Sequence, residues 1–462
     1  MRLANFIAVA AVGAPLLIAN VPLGCSTKSS GASSPDAGSG YVFRDPQSCR
    51  PCHEQHVADW EGSMHAYAVK DPIFQALANV QASDFVGEGG QFCTECHTVP
   101  GFLQNETPIL KGPGGQMIQK TTGLSVAASA GVPCDVCHSA TQVLKSQNAE
   151  LLFEPNGRVH GPFANAQRSD FHEAVGSPLH TTGDLCAACH NVKLPFNFKD
   201  VPLESTGLEW NDWRAMGGDK QCQDCHMPLR GTGPVVDGGP DRPLHAHTFV
   251  GVDIALVDHP DKDRQLTLVK ALLAASVELS VVLATDAGGK TTGFRASLKN
   301  LAGHSVPSGV SSERRMWLEA TLKDGSGTVA YQTGMLGADG NLMDGYPEHS
   351  ATPMGDPDLW WFGGLVTNPG SMQTNHIVTF PHQADGVVEQ MIKPMATATK
   401  DFAFPTLASG AYTLTVRVLF RSVQPYFMHA LEIHPVAKLD PVLKTRVPIL
   451  PMAEKASMFA IP

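Results

Sequence analysis

Apolar and polar positions alternate with a period of two through much of the C-terminal half. Phe294, Ala296 and Leu298 alternate with Arg295, Ser297 and Lys299. Met316, Leu318, Ala320 and Leu322 alternate with Trp317, Glu319, Thr321 and Lys323, and a turn-forming Asp-Gly-Ser-Gly follows at 324–327. Leu414, Val416, Val418 and Phe420 alternate with Thr413, Thr415 and Arg417. This is the pattern of half-buried antiparallel strands joined by tight turns. Residues 263–436 therefore read as an all-β, immunoglobulin-like sandwich, with a tail over 437–462. LTLVKALLAA (266–275) fits either a helix or an opening strand, and its periodicity does not decide.

The N-terminus has a different pattern. Residues 4–23 are apolar throughout, after a single charge at Arg2, and end at Gly24-Cys25. Such a run reads as a secretory signal (1–24) before it reads as a membrane span. Leu23-Gly24-Cys25 resembles a bacterial lipobox, which makes Cys25 the lipidated first residue of the mature chain; plain cleavage with an incidental cysteine is the alternative. Residues 25–40 are small and polar, a flexible linker that sets a domain off its membrane. The expected compartment is the periplasm or outer membrane.

Between these regions, residues 41–262 show little aliphatic periodicity and much glycine and proline. The overall balance is ordinary for a globular protein, 43% hydrophobic and 17% charged. With 33 Lys+Arg against 44 Asp+Glu and a net charge of −11, nucleic acid is excluded as a partner, since phosphate neutralisation needs clustered cations. What changes the picture is 11 cysteines and 19 histidines. Every cysteine but Cys25 falls in one of five identical frames: Cys49-Arg-Pro-Cys52-His53, Cys93-Thr-Glu-Cys96-His97, Cys134-Asp-Val-Cys137-His138, Cys186-Ala-Ala-Cys189-His190 and Cys222-Gln-Asp-Cys225-His226.

Two thiols at this spacing can add to the two vinyl groups along one porphyrin edge, and the following imidazole then binds the iron. A structural zinc site needs ligands in fours and gives no reason for a histidine after every second cysteine. Disulfides would close only tiny loops, and a redox Cys-x-x-Cys occurs once rather than five times. Five covalently bound haem c groups are therefore expected, with His53, His97, His138, His190 and His226 as first axial ligands. So many macrocycles in so short a segment must also supply its packing.

Eight further histidines precede residue 260: His56, His65, His160, His172, His180, His245, His247 and His259. The expected second axial ligands are His65, His172, His180, His245 and His247, of which His247 is preferred to His245. His56 lies on the same helical face as His53 and Trp60, so it packs rather than ligates. His160 ranks below these and His259 lower still; His304, in Ala-Gly-His-Ser-Val-Pro, reads as a loop histidine rather than a ligand at a domain interface. Haems closed on both faces by imidazole have low potentials and leave no room for substrate on iron.

CRPCHEQHVADWEGSMHA (49–66), SPLHTTGDLCAACH (177–190), CQDCHMP (222–228) and HAHTFVG (245–251) resemble a multihaem cytochrome c of the family that includes the tetrahaem electron carrier of hydroxylamine oxidation. GHSVPSG through RRMWLEATLKDGSG (303–327) and TLTVRVLFRS (413–422) are similar to the β-domain appended to bacterial members. The resemblance implies distal ligation by His65 and His180. Together these features describe an α+β multidomain chain, a haem-packed, mainly α/coil domain (41–262) followed by the β-sandwich. The function expected is electron transfer between redox partner proteins of the cell envelope, other cytochromes among them, from a lipid-anchored position. The alternative is a multihaem reductase of nitrite, hydroxylamine or a sulfur oxyanion, which requires one haem open on one face.

Overall fold

The computed structural model describes residues 43–462 apart from 86–89, 155–156, 167–170, 195–200, 237–238 and 374. The signal segment, Cys25 and the 25–40 linker lie outside the described residues. Among the described residues, no helix is long and apolar enough to cross a membrane.

Two antiparallel sheets dominate the C-terminal half. The smaller has three strands in the order Val277–Thr285, Thr291–Asn300 and Thr397–Ala403. The larger runs Gly386–Gln390, Trp360–Thr367, Arg315–Asp324, Gly410–Arg421 and Leu450–Ile461, with Val329–Thr333 also paired to Arg315–Asp324. The alternation read from sequence is the reason these segments pair. Phe294, Ala296 and Leu298 point inward from one sheet, and Met316, Leu318, Ala320, Leu322, Leu414, Val416, Val418 and Phe420 point inward from the other, all in one apolar cluster. Phe294 stands opposite Phe402 across a strand pair, with ring centroids 4.6 Å apart and planes 7° from parallel, the kind of cross-strand contact that fixes register. Trp317 departs from strict alternation. It is buried on the outer face with Leu342, Trp361, Leu365, Ile377 and Leu419, because chain segments cover that face too.

The structure decides two further segments. LTLVKALLAA lies within a helix, Lys262–Ser276, whose Val269 and Leu273 join the core of the two sheets. The tail expected over 437–462 ends instead in the strand Leu450–Ile461, paired along its length with Gly410–Arg421. This is an edge strand with much of one face in solvent, so its sequence lacks sustained alternation.

The N-terminal half consists of short helices, five of them at the cysteine frames, connected by two-stranded ribbons such as Ile109–Lys111 with Met117–Gln119 and Leu229–Pro234 with Asp241–His245. Its longest helix, Pro72–Asp84, is capped by Asp71 with Pro72 at its first position, a favoured start. One face of that helix packs against Val69 and Cys93 of its own half and another against the C-terminal half. Ile73, Ala76 and Val80 share a core with Val423, Phe427 and Leu431, while Leu194 and Val201 meet Val366 and Ala384. The two halves are therefore knit together by common apolar clusters.

Candidate functional site

All five frames present their histidine at or beside a short helix: Arg50–Glu61, Thr94–His97, Cys134–His138, Asp184–Ala187 and Cys222–His226. In the first, His53 leaves helical geometry (φ −122°, ψ 41°), which turns its ring away from the helix line. In the third, Asp135 is buried and takes the backbone N–H of Arg44 at 2.8 Å. In the fifth, Gln221 and Asp224 form a reciprocal cap at the helix start. None of the ten frame cysteines is in a disulfide. Those of different frames meet in pairs: Cys49 with Cys134, Cys96 with Cys189, and Cys186 with Cys222. A Cβ added at Gly183 would lie 2.8 Å from the Cys222 sulfur, so the fourth and fifth frames are packed as closely as the chain allows.

The histidines make a repeated arrangement. His53 faces His172 with ring centroids 6.4 Å apart, His65 faces His190 at 6.4 Å, His138 faces His247 at 6.5 Å and His226 faces His304 at 6.2 Å. Three of the four pairs are within 25° of parallel, and His65–His190 is tilted by 42°. Imidazole–metal bonds run about 2.0–2.1 Å and a ring centroid lies roughly 1.1 Å behind its nitrogen, so two imidazoles on opposite sides of one metal stand about 6.3 Å apart. The spacing is too long for ring stacking and fits an intervening iron.

Hydrogen bonds orient these rings. Nδ1 of His138 donates to the His160 carbonyl (2.6 Å), that of His226 to Val250 (2.6 Å), that of His247 to His245 (3.0 Å) and that of His304 to Ser305 (2.9 Å). A carbonyl can only accept, so each Nδ1 carries the proton and each Nε2 keeps its lone pair for a metal. Burial pushes His65 and His247 down to about 3 and His226 to about 4, so these rings are neutral, as metal ligation requires. His190 differs. Its Nδ1 lies 3.0 Å from Glu204, and although the surrounding desolvation works the other way, that carboxylate lifts His190 to about 9.

The remaining frame histidine, that of the second frame, has other company. His97 donates Nδ1 to the Ala68 carbonyl (3.2 Å) and stacks on Phe74, with centroids 4.1 Å apart and planes 5° from parallel. Among the described residues, no second imidazole faces it at the spacing of the other four.

Of the expected second ligands, the structure places His65, His172 and His247 opposite frame histidines. His180 stacks 5.4 Å from His138, but its Nε2 donates to the Cys137 carbonyl (2.9 Å); His245 donates Nδ1 to Met227 (2.7 Å). His304, read from sequence as a loop residue, occupies the place opposite His226. His56 sits against His247 (4.7 Å) and His53 (6.1 Å), a packing position. His160 is paired to Glu154 at 2.8 Å and supplies the carbonyl that orients His138; His259 faces the Ser63 carbonyl at 3.2 Å. Sequence inspection also missed Asp59, whose carboxylate is fully buried. It binds Arg230 and Arg264, each at 3.0 Å, and takes the backbone N–H of His247 at 3.0 Å, fixing the turn that carries that ring. Gly131 has a similar part for His65: it has φ +72°, and any Cβ there would strike the His65 carbonyl at 2.5 Å.

Residues 48–139 match the family model described as cytochrome c554 and c-prime. Over this segment the chain is a multihaem c-type cytochrome. Its cofactor is haem c, and the five Cys-x-x-Cys-His frames, the Nδ1 protons turned to backbone carbonyls and the iron-sized ring spacings all suit that group. The cytochrome shares its fold with a penta-haem cytochrome c552 from Thermochromatium tepidum at a TM-score of 0.59 and 19% identity, over 90% of this chain and 99% of that one. No curated protein matches it.

Proposed function

We propose that the cytochrome is an electron-transfer protein of the cell envelope carrying five haem c groups. In this reading Cys49/Cys52, Cys93/Cys96, Cys134/Cys137, Cys186/Cys189 and Cys222/Cys225 hold the macrocycles. Four irons are closed by the pairs His53–His172, His138–His247, His65–His190 and His226–His304, and the fifth is bound by His97. The observation that carries the reading is the set of four imidazole pairs at 6.2–6.5 Å. The penta-haem structure of the same fold supports the count. Bound haem supplies a one-electron iron couple. The chain's residues fix the rings and close both axial faces, which restricts four sites to electron exchange. Thiol contacts between frames bring the sites near one another. The C-terminal sheets read as an immunoglobulin-like sandwich (263–436) whose 300–309 loop delivers His304. Export through the 1–24 signal, lipid attachment at Cys25 and exchange with envelope redox proteins complete the proposal.

The test is a haem count with spin quantitation on protein matured by the c-type machinery. Pyridine haemochrome assay should give five haems per chain, and low-temperature EPR four low-spin ferric centres to one high-spin. A count of three or fewer low-spin centres in intact protein would refute the four pairs.

One observation favours a second reading. Among the described residues no imidazole stands opposite His97 at the spacing of the other four pairs, so this site is the candidate for a reductase acting on nitrite, hydroxylamine or a sulfur oxyanion. Turnover of any of these by the reduced protein, blocked when added imidazole converts the high-spin centre to low spin, would establish it; no turnover leaves electron transfer alone.

A further inference from the structure

The axial histidines differ in what receives their Nδ1 proton. His97, His138, His226, His247 and His304 all donate to neutral backbone carbonyls. His190 donates to the carboxylate of Glu204 at 3.0 Å. Glu204 ends the strand Val201–Glu204 and its side chain is only 15% exposed. It is seated from two sides. Its own ribbon pairs it with Val192, and the β half bridges it at Val310. The Thr206 hydroxyl, 3.2 Å from Glu204, is tied in turn to the Ser308 hydroxyl (2.9 Å) and the Gly309 N–H (3.1 Å). Such a contact is not an incidental surface ion pair, because its geometry is set by both halves of the molecule.

We propose, on the reading that His190 and His65 close one iron, that Glu204 is a positioning residue that tunes this site to a reduction potential below those of the His138–His247 and His226–His304 sites. An anionic acceptor draws the Nδ1 proton further than a neutral carbonyl does, which makes Nε2 a stronger donor. A stronger donor stabilises ferric over ferrous iron, so the site accepts an electron later than its neighbours as an added reductant lowers the potential. The location gives this a consequence. The fourth frame touches the second through Cys96–Cys189 and the fifth through Cys186–Cys222. A low-potential site at this junction keeps an arriving electron on one side or the other.

The test is EPR-monitored potentiometry of the full, haem-loaded chain with dithionite as reductant, comparing wild type with Glu204→Gln. Glutamine keeps the shape but offers His190 only a neutral acceptor. One low-spin component should then move upward by at least tenfold in its ferric/ferrous ratio at fixed potential, about 59 mV for a one-electron couple, while the others hold. In wild type that component should titrate below the one lost in His304→Ala and show a narrowed g-spread, a signature that does not depend on the variant folding. No movement, movement of all components together, or a wild-type position above the His304-dependent component would overturn the proposal. His65→Ala separates the two levels of inference: it should convert the same component to high spin. If it leaves all low-spin centres intact, the pairing itself is wrong and the tuning falls with it.

Discussion

Replacing His304 with alanine tests the least expected ligand. The imidazole faces His226 at 6.2 Å and 19° from parallel, and its backbone is held independently of its ring. Asn300 donates to the His304 carbonyl (2.7 Å), Glu209 accepts the Ser305 N–H (3.1 Å), and the Ser308 hydroxyl donates to the same carboxylate (2.7 Å). The loop should therefore stay in place when the side chain is removed, and the effect should be confined to one iron. With four paired sites among five, wild type should show one high-spin centre in five, and His304→Ala two in five. The low-spin integral should fall by a quarter. Double integration of EPR spectra of the fully oxidised protein reads this change directly, and millimolar imidazole should restore the lost quarter by filling the vacated axial position. An unchanged low-spin integral, in protein whose circular dichroism matches wild type, would refute the assignment of His304 and return the site to a nearer histidine such as His245.

Three further outcomes are expected. Leu318 is fully buried between the sheets, so Leu318→Ala should cost about 3 kcal/mol, read as a lower midpoint in urea with unchanged slope. Asp59→Asn leaves Arg230 without this carboxylate and Arg264 with only Asp261, at 3.6 Å. Because their side chains are 26% and 44% exposed and can rehydrate, the cost should be about 2 kcal/mol rather than the larger penalty of a sealed pair, again by urea midpoint. Burial, with Asp253 adding repulsion, pushes the Asp71 carboxyl up from 3.8 to about 7. The folded state therefore holds a proton that the unfolded state has lost between these values, and stability should fall as pH rises from about 4 to 7. Asp71→Asn keeps a capping oxygen for the Ile73 N–H and removes that slope; it should match wild type at pH 4 and exceed it by about 2 kcal/mol at pH 8.

The parts legible in the sequence were those fixed by local chemistry. Covalent attachment to one macrocycle edge demands Cys-x-x-Cys-His, so the five frames stand out without any knowledge of the fold. A sheet buried on one face demands period two, so 291–300, 315–324 and 410–421 were readable as strands. Opposition of two imidazoles carries no such local mark. His172 and His247 were accessible to inference because they lie near other frames in sequence, but His304 lies beyond a helix and two strands. Its Gly-His-Ser-Val-Pro setting looks like any turn. His180 was misleading for the converse reason: it is close to the fourth frame along the chain, while in space its Nε2 is taken by the Cys137 carbonyl. The edge strand 450–461 was missed because partial solvation removes the alternation that reveals a strand.

The position of the 300–309 loop bears on why a β-rich half accompanies the haem-binding half at all. A haem-packed segment with little aliphatic core needs its geometry imposed from outside, and three contacts do so here. The loop supplies the ring opposite His226, its Ser308 and Gly309 hold Thr206 beside Glu204, and its Ser305 and Ser308 engage Glu209. The helix Pro72–Asp84, which carries Phe74 against His97, is itself packed on the C-terminal cluster of Phe427 and Leu431. Two of the five frame histidines, His226 and His97, thus face a ring whose position depends on the β half, and a third, His190, has its electrostatic partner seated by it. A detached binding module would leave these rings unaffected by its removal. The contacts instead tie the sheets to the imidazole pairs, so that in the proposed function the ordering of the sites and their closure to small ligands are set across the boundary between the halves.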